Sequence, residues 1–286
     1  MSRQLQSIVS YGFFSLLLLA GVTACDPATN NSSNGESANV EVKLTDAPAN
    51  YDAVTIDIQS VRLHADYEED LDQDSLETDE EAEEEGWITI MDEPLEVNLL
   101  DLTNGNDITL GSTTLEEGEY SQLRFILGDN NTVTIDGETI PLKTPSAQQS
   151  GLKLQLDADV EAGETYTLLV DFDAAKSIVK AGNSGMYLLK PVLHAVNLAE
   201  AGSIGGHVSP AMADSAGFNT HVMAITNDDT LSTITGEEGN YKIMGLLPAT
   251  YDVVFDPDSE MYEDTTITGV EVIAGEETPV DSLSFR

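Results

Sequence analysis

The chain has 286 residues, with 52 acidic and 11 basic side chains and a formal net charge of −41. That balance excludes a nucleic-acid backbone binder, which needs Lys and Arg to displace counterions from phosphates, and it excludes a polybasic grip on anionic lipid. Hydrophobic residues make up 41% of the chain, enough over this length to bury a core and to build more than one domain.

In chain order, residues 1–24 have the pattern of an export signal. Arg3 supplies the positive start, residues 11–19 (YGFFSLLLL) the apolar run, and residues 20–24 the small side chains that follow. A spanning helix needs about 20 apolar residues; this run is shorter and ends in small residues, which predicts a removable leader. The next residue, Cys25, is the only cysteine, so no intrachain disulfide can form. Val22-Thr23-Ala24-Cys25 resembles the bacterial lipobox. The resemblance implies cleavage before Cys25, a diacylglyceryl group on its thiol and an acylated new amino terminus. The membrane is then a partner through lipid, at the periplasmic or cell-surface face of a bacterial envelope. Two or more acyl chains suffice for stable anchoring, at about 0.8 kcal/mol per buried methylene. The alternative is an ordinary secreted protein with a stray cysteine. Residues 26–38 (DPATNNSSNGESA) are polar and read as a tether. Its root-mean-square span of about 20 Å exceeds the screening length of about 10 Å at moderate salt, so it holds an acidic body away from an acidic membrane.

From residue 39 onward the chain alternates at period two between turn signals, which predicts an all-β protein of two antiparallel sandwiches in tandem. Residues 40–44 and 54–58 alternate, the latter continuing through Val61 and Leu63. Residues 132–135 and 138–142 flank Asp136-Gly137, a tight hairpin. Leu123, Phe125 and Leu127, and then Leu152, Leu154 and Leu156, mark one-sided strands. One helix is predicted over 174–180, with Asp173 as its N-cap and Gly182 ending it. A break near 197–203 separates a smaller second unit of about seven strands.

Four motifs occur in order in the first unit: Leu44-Thr45-Asp46-Ala47-Pro48, residues 141–152 (PLKTPSAQQSGL), residues 169–179 (LVDFDAAKSIV) and Leu189-Lys190-Pro191-Val192. On these, residues 39–198 resemble the bacterial domain of unknown function numbered 4382, which implies an exported lipoprotein of no established activity. The Gly-x-Val start at Gly206-His207-Val208, Gly239-Asn240-Tyr241-Lys242-Ile243 and Leu247-Pro248-Ala249-Thr250-Tyr251 belong to residues 203–286. That unit resembles the carboxypeptidase regulatory-like domain, a transthyretin-like sandwich grouped with carbohydrate-binding-like folds. It departs at Ala249, where the family prefers Gly. The resemblance implies a fold and not sugar binding.

An insertion at 66–85 holds 13 acidic residues in 20. It reads as a solvated loop. Asp70, Asp72, Asp74 and Glu81 match positions 1, 3, 5 and 12 of an EF-hand calcium loop, but Ser75 replaces the turn glycine and Glu77 the apolar position. At this acid density such a match arises by chance. Asp171 and Asp173 share one face of a strand; with Asp46 nearby, three carboxylates could hold Ca²⁺. The plainer reading is that Asp173 caps its helix and Asp171 meets solvent or Lys190. Gln148, Gln149 and Ser150 are candidate ligand-binding amides and hydroxyl, or the support of an irregular loop. Tyr241 and Tyr251, with Tyr262, could stack on a glycan, although strand tyrosines usually pack.

Catalytic patterns are scarce. His64, His194, His207 and His221 show no metal spacing, and there is no Gly-x-Ser-x-Gly elbow or phosphate loop. The expectation is a non-catalytic, lipid-anchored envelope protein that binds or spaces, with a glycan or an envelope protein as partner. The alternatives are a carbohydrate-binding module in the second unit and a calcium-dependent adhesion protein using acidic loops. The charge further suggests a saline habitat, since salt screens self-repulsion.

Overall fold

A computed structural model describes residues 37–66, 86–145, 151–182, 184–210, 218–227 and 229–285. The expected leader, residues 26–36 of the expected tether, the EF-hand match and residues 148–150 lie outside these residues. The last two residues assigned to the tether, Ser37 and Ala38, are instead the start of a strand, because Ala38 packs into the core. Most of the described residues are strand, and the side chains divide into two hydrophobic clusters, one drawn from residues 38–189 and one from residues 204–285.

The first cluster lies between two sheets. One has the order β13-β10-β1-β5, where β1 is Ser37–Thr45, β5 is Ile108–Glu116, β10 is Thr165–Phe172 and β13 is Leu193–Asn197. The other is built on the long β2 (Ala53–Ala65). β6 (Gly118–Leu127) pairs with it, and β9 (Leu152–Val160) pairs with β6. β7 (Thr132–Ile135), β3 (Trp87–Met91) and β4 (Leu95–Asn98) also pair with β2. β8 (Glu138–Lys143), β12 (Tyr187–Leu189) and β11 (Ile178–Lys180) extend it past β7. Period two places Val40, Val42 and Leu44 inward from β1, and Val54, Ile56 and Ile58 inward from β2, all essentially sealed from solvent. Phe125 and Phe172 are fully buried, each contributing about 1.5–3 kcal/mol of apolar transfer. Where β5 passes β3, a Cβ on Gly111 would meet the Ile90 carbonyl oxygen at 2.3 Å, so only glycine lets the backbones come this close.

The hairpin signal is fulfilled. Asp136 (φ 53°) and Gly137 (φ 76°) both take positive φ, as a type I′ turn demands, and Ile135 pairs with Glu138. The helix is shorter than the expected 174–180. Helix α1 spans Ala174–Ser177, and β-branched Ile178 and Val179 leave it to pair with β12. Gly182 (φ 56°) sits in the following turn and does not end a helix. The pairing is also not purely antiparallel: β1 runs parallel to β10, and β12 to β8.

The second cluster lies between β17-β14-β20, with β21 also on β14, and β16-β15-β18-β19. These strands are β14 (Gly202–Ser209), β15 (Thr220–Ile225), β16 (Thr230–Ile234), β17 (Asn240–Leu246), β18 (Thr250–Pro257), β19 (Thr265–Glu271), β20 (Glu277–Pro279) and β21 (Leu283–Ser284). β14 runs parallel to both β20 and β21. Ala249 does not take a positive φ, so its turn does not need the family's glycine. The described residues, from 37 to 285, fall in one compact unit, and Asn104 joins the two clusters. Its backbone N–H donates to Thr233 Oγ1 (2.9 Å), its Nδ2 to the Asn240 carbonyl (3.2 Å), and its Oδ1 accepts from the Lys242 amide (2.9 Å). No helix among the described residues is long and apolar enough to cross a membrane.

Candidate functional site

The site lies at the ends of β1 and β10, beside the second cluster. Parallel pairing sets Thr45 opposite Asp171, so Asp46 emerges where β10 ends. The Asp46 backbone N–H donates to the Leu102 carbonyl at 3.2 Å, and its Oδ1 accepts from the Ala174 amide at 3.0 Å, satisfying one orphan donor of α1. Asp173 caps the same turn: its Oδ1 accepts from the Lys176 amide at 2.8 Å and its Oδ2 pairs with Lys176 Nζ at 2.7 Å.

These contacts decide the calcium expectation. The structure brings Asp46, Asp171 and Asp173 to one corner of the fold, but both oxygens of Asp173 are taken by Lys176. Among the described residues no three His, Cys, Asp or Glu side chains are grouped to hold a metal. The Asp46–Asp171–Asp173 cage is therefore corrected to a capping arrangement in which Asp46 is buried and Asp171 is partly buried beside it. Asp46 Oδ2 and Asp171 Oδ1 are sealed from solvent with no hydrogen-bond partner. Burial pushes the Asp46 carboxyl up to about 9, with Asp171 and Asp173 adding to the rise and the Ala174 and Ala47 amides opposing it. Burial likewise lifts Asp171 to about 7, helped by Asp173 and Asp229 and opposed by Lys176 and the Ala47 amide. A small cavity of about 20 Å³ touches Thr45, Asp46, Asn104, Asp171 and Lys242, room for one water molecule.

Asp171 also lines a larger cleft of about 340 Å³ between the two clusters. Strands β9, β10 and β13 form one wall; Asp229, Leu231, Met244 and Leu247 form the other. The remaining acids on its lining are Asp157 and Glu200, and no Lys or Arg is among the described lining residues. Tyr166, on the same wall, has its hydroxyl pushed up to about 12 by burial and then by Glu200, Asp157 and Asp159. Sequence reasoning missed this cleft because its walls come from strands far apart in the chain. The mark of it in the sequence is Asp171, an acid that departs from the apolar run of Leu168, Leu169 and Val170 before it.

The glycan expectation fails at its tyrosines. Tyr241 and Tyr251 are buried. Tyr241 packs edge-on against Phe255 at 5.5 Å between centroids, and the Tyr251 hydroxyl donates to the Leu247 carbonyl at 2.9 Å. Neither presents a face to a sugar. Tyr262 packs with Phe218 and Phe285. Trp87 has a cationic cover: the Arg124 guanidinium lies 4.0 Å from its ring centroid, and His64 meets it at 4.9 Å.

Comparison with known proteins was made against families, curated proteins and solved structures. The family model described as a domain of unknown function (DUF4382) matches residues 37–191. No curated protein matches the chain. Among solved structures, the Bacillus anthracis TIE protein is similar at 10% identity and a TM-score of 0.21, covering 87% of this chain. The chain spans 34% of that protein's length. GBS52, a minor pilin of Streptococcus agalactiae, is similar at 12% identity and a TM-score of 0.21, over 86% of this chain and 94% of that one. The shaft pilin spaA of Lactobacillus rhamnosus GG gives 8% identity and 0.21, over 87% and 97%. Likenesses this remote carry neither activity nor partner to this chain.

Proposed function

The chain belongs to the DUF4382 family through residues 37–191, and from that premise we propose that it is a non-catalytic, lipid-anchored protein of the bacterial envelope that binds or spaces outside the cytosol. The observation that carries this reading is Val22-Thr23-Ala24-Cys25, placed after an apolar run and before a polar tether, with Cys25 the only cysteine. Its support is physical. Two or three acyl chains at Cys25 anchor stably, the tether keeps the acidic body outside the screening length, and neither module carries a nucleophile–base motif. In this reading the second unit, 203–286, is a transthyretin-like sandwich that adds length and surface beyond the family domain.

The test is metabolic labelling with a fatty acid and detergent phase partition of the full-length protein beside its Cys25→Ser variant. Label and detergent-phase recovery that both disappear with the thiol support the reading. An unlabelled parent protein in the aqueous phase would overturn it.

A further inference from the structure

We propose that the junction between the two modules is a proton-operated coupling, closed while Asp46 and Asp171 carry protons and loosened when they ionise. The inference goes beyond the binding or spacing role and does not depend on the lipid at Cys25.

The argument starts from what encloses the two carboxyls. The cavity of about 20 Å³ has Thr45, Asp46 and Asp171 on its first-module side and Leu231, Thr233 and Ile243 on its second-module side. Asn104, which bonds the modules together, lies on the same wall. The second module is therefore part of the enclosure, and its departure would open the cavity to water. The amides of Ala174 and Ala47 bond the pair, but Asp46 Oδ2 and Asp171 Oδ1 are sealed from solvent with no hydrogen-bond partner. Such an oxygen is tolerable on a neutral carboxyl and costly on a carboxylate. Burial accordingly keeps Asp171 protonated up to about 7 and Asp46 up to about 9.

The surrounding charges do not relieve that cost. From α1, Asp173 and Lys176 face the pair, and they hold each other at 2.7 Å. From β13, the exposed His194 stands opposite Asp171 in register. From the second module, Asp229 raises Asp171 further, while Lys242, on the cavity wall, holds Glu277 at 2.7 Å. Asp157 and Glu200 share the neighbouring cleft with Asp171. Asp107, close to Asn104 in the chain, is held by Lys43 at 2.8 Å, and Asp101 is exposed.

The sign follows from linkage. Separated modules would hydrate both carboxyls and return them toward the ordinary 3.8, so the docked form binds more protons than the separated one. Docking is strongest at low pH. It weakens as pH rises through about 7, where Asp171 ionises, and again through about 9, where a second charge arrives on Asp46.

Scanning calorimetry of the full-length protein in detergent, from pH 6 to pH 9.5, tests this. At pH 6 the modules melt together in one transition; by pH 9.5 two transitions stand about 5 °C or more apart. A single transition throughout, or two already at pH 6, overturns the proposal. The double variant Asp46→Asn with Asp171→Asn removes both ionisations, and when folded it keeps one transition at pH 9.5; splitting as in the parent overturns the proposal. His194→Gln, at an exposed position, removes the other titrating group opposite Asp171 and leaves the parent's pH profile in place. A profile that disappears with the imidazole assigns the response to His194 and overturns the proposal. Should the double variant not fold, the parent and His194→Gln profiles still decide.

Discussion

Asp46 and Asp171 sit where ionisation is costly, and this makes stability depend on pH in an unusual sense. Their carboxyls are raised to about 9 and about 7 from an ordinary 3.8, so the folded state keeps protons that the unfolded chain releases. Their stabilising contribution is full below pH 3.8 and is lost as pH rises through about 7 for Asp171 and about 9 for Asp46. Asp46→Asn retains an oxygen to accept the Ala174 amide and removes the ionisation. Thermal melts should show it more stable than the parent at pH 9 and nearly equal at pH 4; an equal offset at both would refute the assignment. Asp173 contributes through its contacts with Lys176. Asp173→Ala removes the cap of α1 and the Lys176 pair, with an expected loss of about 1 kcal/mol in denaturant unfolding. That capping role was legible in the sequence, because an Asp before Ala-Ala-Lys is a local signal. The burial of Tyr241 and Tyr251 was legible only as a tendency, since alternation does not say which face of a strand meets another sheet.

Strands and turns show the same division between local and distant information. The β7–β8 hairpin was readable because Asp136-Gly137 supplies the two positive-φ residues its turn requires. The end of α1 was misplaced because Gly182 looked like a terminator, whereas Ile178 and Val179 had already changed to strand to pair with Leu188 and Leu189. The parallel pairing of β1 with β10 was not readable at all. Nothing near Val42 specifies Leu168 as its partner, yet this pairing carries Asp46 to Asp171 and so creates the site. Asn104 offers the test at this scale. It holds the two clusters through three hydrogen bonds while its φ is 60°. Asn104→Ala loses the two side-chain bonds and adds backbone strain, at a cost of about 1–3 kcal/mol. The expected outcome is that a single unfolding transition separates into two, one for each cluster. A melt that shifts without splitting would show that other contacts hold the modules together.

At the scale of the whole molecule, a charge of −41 on 286 residues makes the fold repel itself, and the Debye length falls from about 10 Å at 0.1 M to about 3 Å at 1 M salt. The melting temperature should therefore rise by several degrees between 0.1 and 1 M sodium chloride, and a flat or falling profile would count against the saline-habitat reading. An acidic body cannot lie close to an anionic membrane without cost, so in the proposed function the lipid at Cys25 and the polar stretch 26–36 work together, one anchoring and the other standing the body off. The proposed function stands on the lipid at Cys25, which mass spectrometry of the mature amino-terminal peptide reads out. The expected peptide starts at Cys25 and carries a diacylglyceryl thioether and an amide-linked acyl chain. A peptide that begins at Met1 with a bare Cys25 thiol would contradict it.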